Sequence, residues 1–124
     1  MSEVLQQIQY AHLASSIPGT SLLEAAHPQW PVPVGLLYWR WSYDRNIDLL
    51  YVNVVEQLRR KGIANAMIAE LQDAYPKTFI VTASATRLAE GWMEKSGWAK
   101  SAVIESAMGN GAHWYLAPRE QESA

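Results

Sequence analysis

The sequence contains no cysteine, which excludes a disulfide framework, a thiolate nucleophile and any cysteine-ligated metal. An acyl-cysteine mechanism is therefore closed. Histidine is scarce: His12, His27 and His113 lie far apart with no short ligand spacing, so no metal site is expected. No hydrophobic stretch approaches membrane-spanning length. The start, Met1-Ser2-Glu3-Val4-Leu5-Gln6-Gln7, also lacks the basic residues and continuous apolar run of a signal peptide. The expectation is a cytoplasmic protein with no membrane partner. A large charge of either sign is missing too, since a net charge of −2 and a pI near 5.9 argue against broad nucleic-acid binding. Internal repeats, low-complexity tracts and interdomain linkers are absent, and no elbow motif surrounds Ser84 or Ser96. What remains is 124 residues, 49% hydrophobic and 18% charged, a composition that reads as one globular domain over 1–124.

Val4, Leu5, Ile8 and Leu13 fit one face of a helix; residues 5–12 also fit a strand, and the helix is preferred. Pro18-Gly19 is a turn, and Ser21-Leu22-Leu23-Glu24 reads as a capping box opening a short helix that ends by His27-Pro28. Pro28, Pro31 and Pro33 punctuate an extended approach to a sheet edge. Val34 to Tyr43 and Ile47 to Val54 are β-branched, aromatic and apolar runs across Asp44-Arg45-Asn46, which makes a hairpin. Alternation puts Ile47, Leu49 and Tyr51 on one side and Asp48, Leu50, Val52 and Val54 on the other. Both faces are largely apolar, so this strand should be central. Ile63, Met67, Ile68, Leu71 and Tyr75 form the apolar stripe of a helix stopped by Pro76. Thr78 to Ala83 should then return parallel to the Ile47–Val54 strand by a right-handed crossover. A helix from about Thr86 to Ser96, stopped by Gly97, follows. Strands at Trp98 to Ile104 and His113 to Leu116, joined through Met108-Gly109-Asn110-Gly111, end the pattern before a frayed tail at 118–124.

Between the central strand and its helix runs Val54-Val55-Glu56-Gln57-Leu58-Arg59-Arg60-Lys61-Gly62-Ile63-Ala64. A helix start offers unpartnered backbone N–H groups and the positive end of the helix dipole, so an anion is welcome there. Gly62 allows close backbone approach, Ala64 keeps the next contact small, and Arg59, Arg60 and Lys61 add three formal charges. Arg59-x-x-Gly62-x-Ala64 resembles the (Gln/Arg)-x-x-Gly-x-(Gly/Ala) coenzyme A signature of the GNAT superfamily of N-acetyltransferases. A second segment, Thr86-Arg87-Leu88-Ala89-Glu90-Gly91-Trp92-Met93-Glu94-Lys95-Ser96-Gly97-Trp98, is similar to that family's Asn-x-x-Ala-x-x-(apolar)-Tyr-x-Lys-x-Gly-Phe pattern. It retains Ala89, Lys95 and Gly97, with Trp98 as the terminal aromatic. Thr86 replaces the asparagine, and Met93 stands where the family commonly has the tyrosine that protonates the departing thiolate. A thioether cannot donate a proton.

The resemblance covers roughly Val34 to Leu116. It implies an α/β, mixed α+β fold with a GNAT-like central mixed sheet flanked by helices and a splayed pair of parallel strands. It further implies that backbone groups of Asn53, Val54 and Val55 pair with pantetheine. The amides of Arg60, Lys61, Gly62, Ile63, Ala64 and Asn65 would cradle the pyrophosphate. One of Arg59, Arg60 and Lys61 would reach the adenosine phosphate, and Thr86 and Met93 would lie on the cofactor side of the later helix. Acetyl-CoA is then the cosubstrate, and the implied activity is direct transfer of acetyl to an amine acceptor in a ternary complex.

An attacking amine must be neutral, so a base or a water chain takes its proton. Glu56 and Tyr51 are the first candidates, with Asp48 and Tyr38 behind them. Trp39 or Trp41 is the aromatic residue most suited to an acceptor pocket, the other aromatics being assigned to the core. The alternative is a non-catalytic acyl-CoA-binding or protein-interaction module of the same fold, which Met93 favours. A short domain can also complete its acceptor site with a partner subunit, so a homodimer stays open.

Overall fold

The computed structural model describes residues 3–83, 87–101 and 113–120. These residues form a seven-stranded sheet in the order β1-β2-β3-β4-β5-β7-β6. The strands are β1 (Gln9–Ala14), β2 (Ser21–Ala26), β3 (Gly35–Trp41), β4 (Ile47–Val54), β5 (Ile80–Ala83), β6 (Ala99–Ser101) and β7 (His113–Leu116), with helices α1 (Glu3–Gln7), α2 (Ile63–Ala74) and α3 (Arg87–Lys95). Every neighbouring pair is antiparallel except β4 and β5. The mixed sheet, the central place of β4 and the parallel return of β5 agree with the sequence reading. The Met108 to Gly111 turn, the Thr86 cap and residues 121–124 of the tail lie outside the described residues.

The first third differs from its reading. The N-terminal helix stops at Gln7, and β1 takes up Leu13 of the proposed helical face together with much of the 5–12 stretch for which a strand is the alternative. Ser21 to Glu24 is not a helix start but the opening of β2, held between β1 and β3. The reason is a conflict of periods. Leu23 and Ala25 are both fully buried while Glu24 between them is half-buried, a period of two that the cap-like spacing of Ser21 and Glu24 conceals. The Pro18-Gly19 turn brings Ala14 opposite Ser21, and pairing on both edges then overrides the local helix signal.

Helix α2 packs on β2, β3 and β4. Its inward side chains, Ile63, Met67, Ile68 and Leu71, join Leu23, Ala25, Leu37, Ile47 and Val54 in the core. Met67 and Leu71 are sealed from solvent, and burial of each such side chain stabilises by about 1.5–3 kcal/mol. The helix can lie this close because Gly35 leaves room: a Cβ there would meet Met67 Sδ at 2.7 Å.

Strand β4 does not alternate as a regular strand would. Tyr38 is opposite Tyr51 and Trp39 is opposite Leu49, so Leu50 has no partner on β3 and the register shifts by one. This bulge turns the strand over. Ile47 and Leu49 are buried before it, and Val52 and Val54 are the inward residues after it, while Tyr51 is about half exposed. Tyr51 therefore does not share a face with Ile47 and Leu49, as uninterrupted alternation had suggested.

Candidate functional site

The parallel ladder between β4 and β5 contains only Ile47↔Ile80 and Asp48↔Val81. Among the described residues no strand residue stands in register with β4 beyond Asp48 on its β5 side, which leaves a gap there. Consecutive residues of a strand present their backbone groups to opposite edges. The carbonyl of Leu49 faces β5, since it accepts the Thr82 hydroxyl at 2.8 Å. Counting through the bulge at Leu50, the groups of Val52 and Val54 face the gap and those of Asn53 face β3. The Val55 N–H is committed to the Val34 carbonyl at 2.9 Å. Of the three residues expected to line the gap with backbone groups, only Val54 is so turned. Val52, which uninterrupted alternation did not single out, joins it.

Past β4 the chain makes a short 3-10 turn at Glu56–Leu58 and then enters α2 through Gly62. Gly62 has φ +87°, a left-handed conformation open to glycine, and a Cβ there would press on Leu5 Cδ1 at 3.3 Å. Arg60 is also left-handed, at φ 65°. Two left-handed residues thus flank Lys61, and left-handed turns of this kind are a recurring part of anion-binding concavities. The first bond within α2 runs from Ala66 N–H to Gly62 O at 2.9 Å, so the amides of Ile63, Ala64 and Asn65 have no intrahelical acceptor. The Ile63 side chain is in the core, leaving its backbone as the part that faces outward.

The basic run is divided. Arg59 Nε donates to Val54 O at 2.9 Å, and Arg59 Nη2 donates to Asn53 Oδ1 at 3.2 Å. Its guanidinium thus ties the turn back onto the end of β4. Arg60 and Lys61 are exposed and make no ion pair among the described residues. They are the two cations left to meet a ligand.

Solved structures share this architecture. The chain is similar to an acetyltransferase of the GNAT family from Staphylococcus aureus Mu50, with a TM-score of 0.64 and 12% identity over 82% of this chain and 69% of that one. It is similar to Tetrahymena GCN5 at a TM-score of 0.66 and 13% identity, over 86% and 72% of the two chains. A third is a Bacillus subtilis acetyltransferase solved in complex with CoA, at a TM-score of 0.61 and 13% identity over 82% and 78%. No protein-family profile and no curated protein matches the sequence. The chain has the GNAT fold.

Within the GNAT fold, the two leading proton-transfer candidates stand apart. Glu56 is exposed at the head of the 3-10 turn, and its carbonyl accepts the Arg59 N–H at 3.2 Å. Tyr51 lies on the face of β4 away from α2, its ring 6.1 Å from that of Tyr38. No hydrogen bond joins Glu56 to Tyr51. Asp48 is engaged with Arg40, whose Nε is 3.1 Å from Asp48 Oδ2. Trp39 and Trp41 are on β3, opposite Leu49 and Ile47 and across β4 from the gap. Both pack edge-on against Tyr75 at the end of α2, with centroids 5.3 and 5.2 Å away, so they form part of an aromatic cluster remote from Gly62. Met93 is 4% exposed and belongs to the core with Trp98 and Trp114. Thr86 is outside the described residues.

Proposed function

We propose that this protein is an acetyl-CoA-dependent N-acetyltransferase that moves an acetyl group directly to an amine acceptor in a ternary complex. The observation that carries the reading is the pairing of β4 with β5 for two residue pairs only, immediately before a left-handed, basic entry into α2. A pantetheine arm needs an extended slot with unpaired backbone groups, and a pyrophosphate needs a helix start with free amides. Both features adjoin here. In this reading the main-chain groups of Val52 and the N–H of Val54, whose carbonyl is held by Arg59, orient the arm. The amides of Arg60, Lys61, Gly62, Ile63, Ala64 and Asn65 face the pyrophosphate, and Arg60 and Lys61 neutralise phosphate charge.

The acceptor nitrogen, as a free amine, attacks the thioester carbonyl carbon. Its proton passes to the Glu56 carboxylate or to a water chain held by the Tyr51 hydroxyl, and the C–S bond breaks as coenzyme A leaves as the thiolate. No covalent enzyme intermediate is required. The fold neighbour bound to CoA supports the cosubstrate. Acetyl-CoA, an amine acceptor, a cytoplasmic setting and a homodimer that completes the acceptor site remain parts of this proposal.

A second reading is favoured by one observation: with Met93 in the core, that position of α3 offers no proton donor to a departing thiolate. The protein would then be a binding module that holds acyl-CoA without turnover. Titration with coenzyme A by calorimetry, followed by thiol release from acetyl-CoA across a panel of amines, separates the two. Binding with release supports the transferase, binding without release supports the module, and no binding removes both.

A further inference from the structure

Where the parallel ladder of β4 and β5 ends, a side chain takes over from the backbone. After Ile47↔Ile80 and Asp48↔Val81 the next step would set Leu49 beside Thr82. There the Thr82 hydroxyl, on a residue only 8% exposed, donates to Leu49 O at 2.8 Å. The Thr82 main chain is meanwhile paired with Trp114 on the other side, across the β5–β7 ladder. Thr82 thus holds both neighbours at once, β7 through its backbone and β4 through its side chain. The residue after Leu49 is the unpaired Leu50, at which β4 changes register and turns over. The last bond between the two strands and the first distortion of β4 are one residue apart.

A main-chain bond at this step would keep the strands about 4.8 Å apart and extend the zipper. With no donor there, the Leu49 carbonyl would stand open to the gap, and a buried carbonyl without a partner is unfavourable. A hydroxyl on a short arm does neither: it satisfies the carbonyl and caps the ladder. We infer that Thr82 is a positioning residue whose hydroxyl sets the apex of the β4–β5 gap, and so fixes how far an acyl-pantetheine arm can run between the strands. This inference rests on the acyl-CoA reading above.

Two probes divide the site. Adenosine 3′-phosphate 5′-diphosphate reaches only the cradle at Arg60 to Asn65, whereas acetyl-CoA also enters the gap. Thr82→Val keeps the shape and removes the donor; Thr82→Ala removes it without a branched side chain, as a second variant should valine impair folding; Thr82→Ser keeps the hydroxyl. In variants that unfold cooperatively, acetyl-CoA affinity should fall roughly tenfold for Thr82→Val or Thr82→Ala and stay at the parent level for Thr82→Ser. The nucleotide probe should bind all of them as it binds the parent. Unchanged acetyl-CoA binding in a variant without the hydroxyl overturns the assignment, as does equal loss of both probes, which would signal general damage. A parent that binds neither probe removes the acyl-CoA reading first, and the role of Thr82 with it.

Discussion

Arg59 Nε and the carbonyl oxygen of Val54 are 2.9 Å apart, so the first cation of the signature-like run holds a strand end in place. It differs in role from the two cations that follow it. Arg59→Ala should lower stability by about 1 kcal/mol through loss of that bond. The salt dependence of coenzyme A binding should change little. Arg60→Ala and Lys61→Ala should do the reverse, leaving unfolding near the parent and flattening the dependence of affinity on ionic strength, because exposed phosphate contacts are screened over about 10 Å at 0.1 M salt. Calorimetry at two salt concentrations beside thermal unfolding checks the division. A basic run with one common role would give three similar profiles.

Gly35 concerns packing rather than ligand. An added Cβ would stand 2.7 Å from Met67 Sδ and 3.4 Å from both Ala25 Cβ and Ile63 Cγ2, so the sulfur must move with little space to enter. Gly35→Ala should therefore destabilise by about 1–3 kcal/mol, as overpacking of a filled core does. Met67→Ala should itself destabilise by emptying a sealed core position, but the double variant should lose less than the sum of the two, so the changes should be clearly non-additive in denaturant titrations. Additive effects would mean that α2 simply shifts away from the sheet.

Tyr10 supplies a pH dependence. Its hydroxyl titrates above the ordinary 10.0, first because burial disfavours the phenolate and second because the Glu70 carboxylate repels it. The folded value is raised, so Tyr10 contributes stability that is fully present below the unfolded value and is lost as pH rises through the folded one. Tyr10→Phe should flatten the fall in unfolding free energy above about pH 10, and Glu70→Gln should flatten it less. Urea titrations between about pH 8 and pH 11 measure the difference from the parent. Parallel curves for parent and Tyr10→Phe would show that the phenol is hydrated in the folded state.

The part of the fold that carries the candidate site is the part most legible in the sequence. Val34 to Ala83 presents strand, turn, strand, basic turn, helix and strand in unbroken order, and each boundary is marked by a turn residue or by Pro76. The cradle at Arg60 to Asn65 is contiguous, so a local pattern suffices to find it. Val52 and the inward tie of Arg59 depend on the bulge at Leu50, and the latch at Thr82 depends on where the β4–β5 ladder stops beside it. That bulge arises from β3–β4 pairing, and no residue type announces it. Ser21 to Ala26 reads as a helix start for a related reason. Its helix-cap spacing is local, while its strand state comes from partners at Gln9–Ala14 and Gly35–Trp39, which a single window cannot see.

Met93 brings the two readings of function to a decision. The family pattern suggests that a tyrosine here would restore a proton donor, and a positioned acid accelerates such a step on the order of 10²-fold or more. The structure points the other way. Met93 is 4% exposed, in the core cluster that also holds Trp98 at 6% and Trp114 at 3%, so a larger ring would have to displace buried neighbours. Met93→Tyr should therefore destabilise by about 1–3 kcal/mol and leave thiol release from acetyl-CoA unimproved. Met93→Leu, close in volume, should change both little. Thermal unfolding and a thiol-release assay on the three proteins make the comparison. A folded Met93→Tyr protein with turnover raised a hundredfold would show that this side chain turns to the gap when acetyl-CoA is bound, and that the missing acid limits the parent. If all three proteins bind coenzyme A and none releases thiol with any amine, the protein is an acyl-CoA-binding module and the transferase proposal falls.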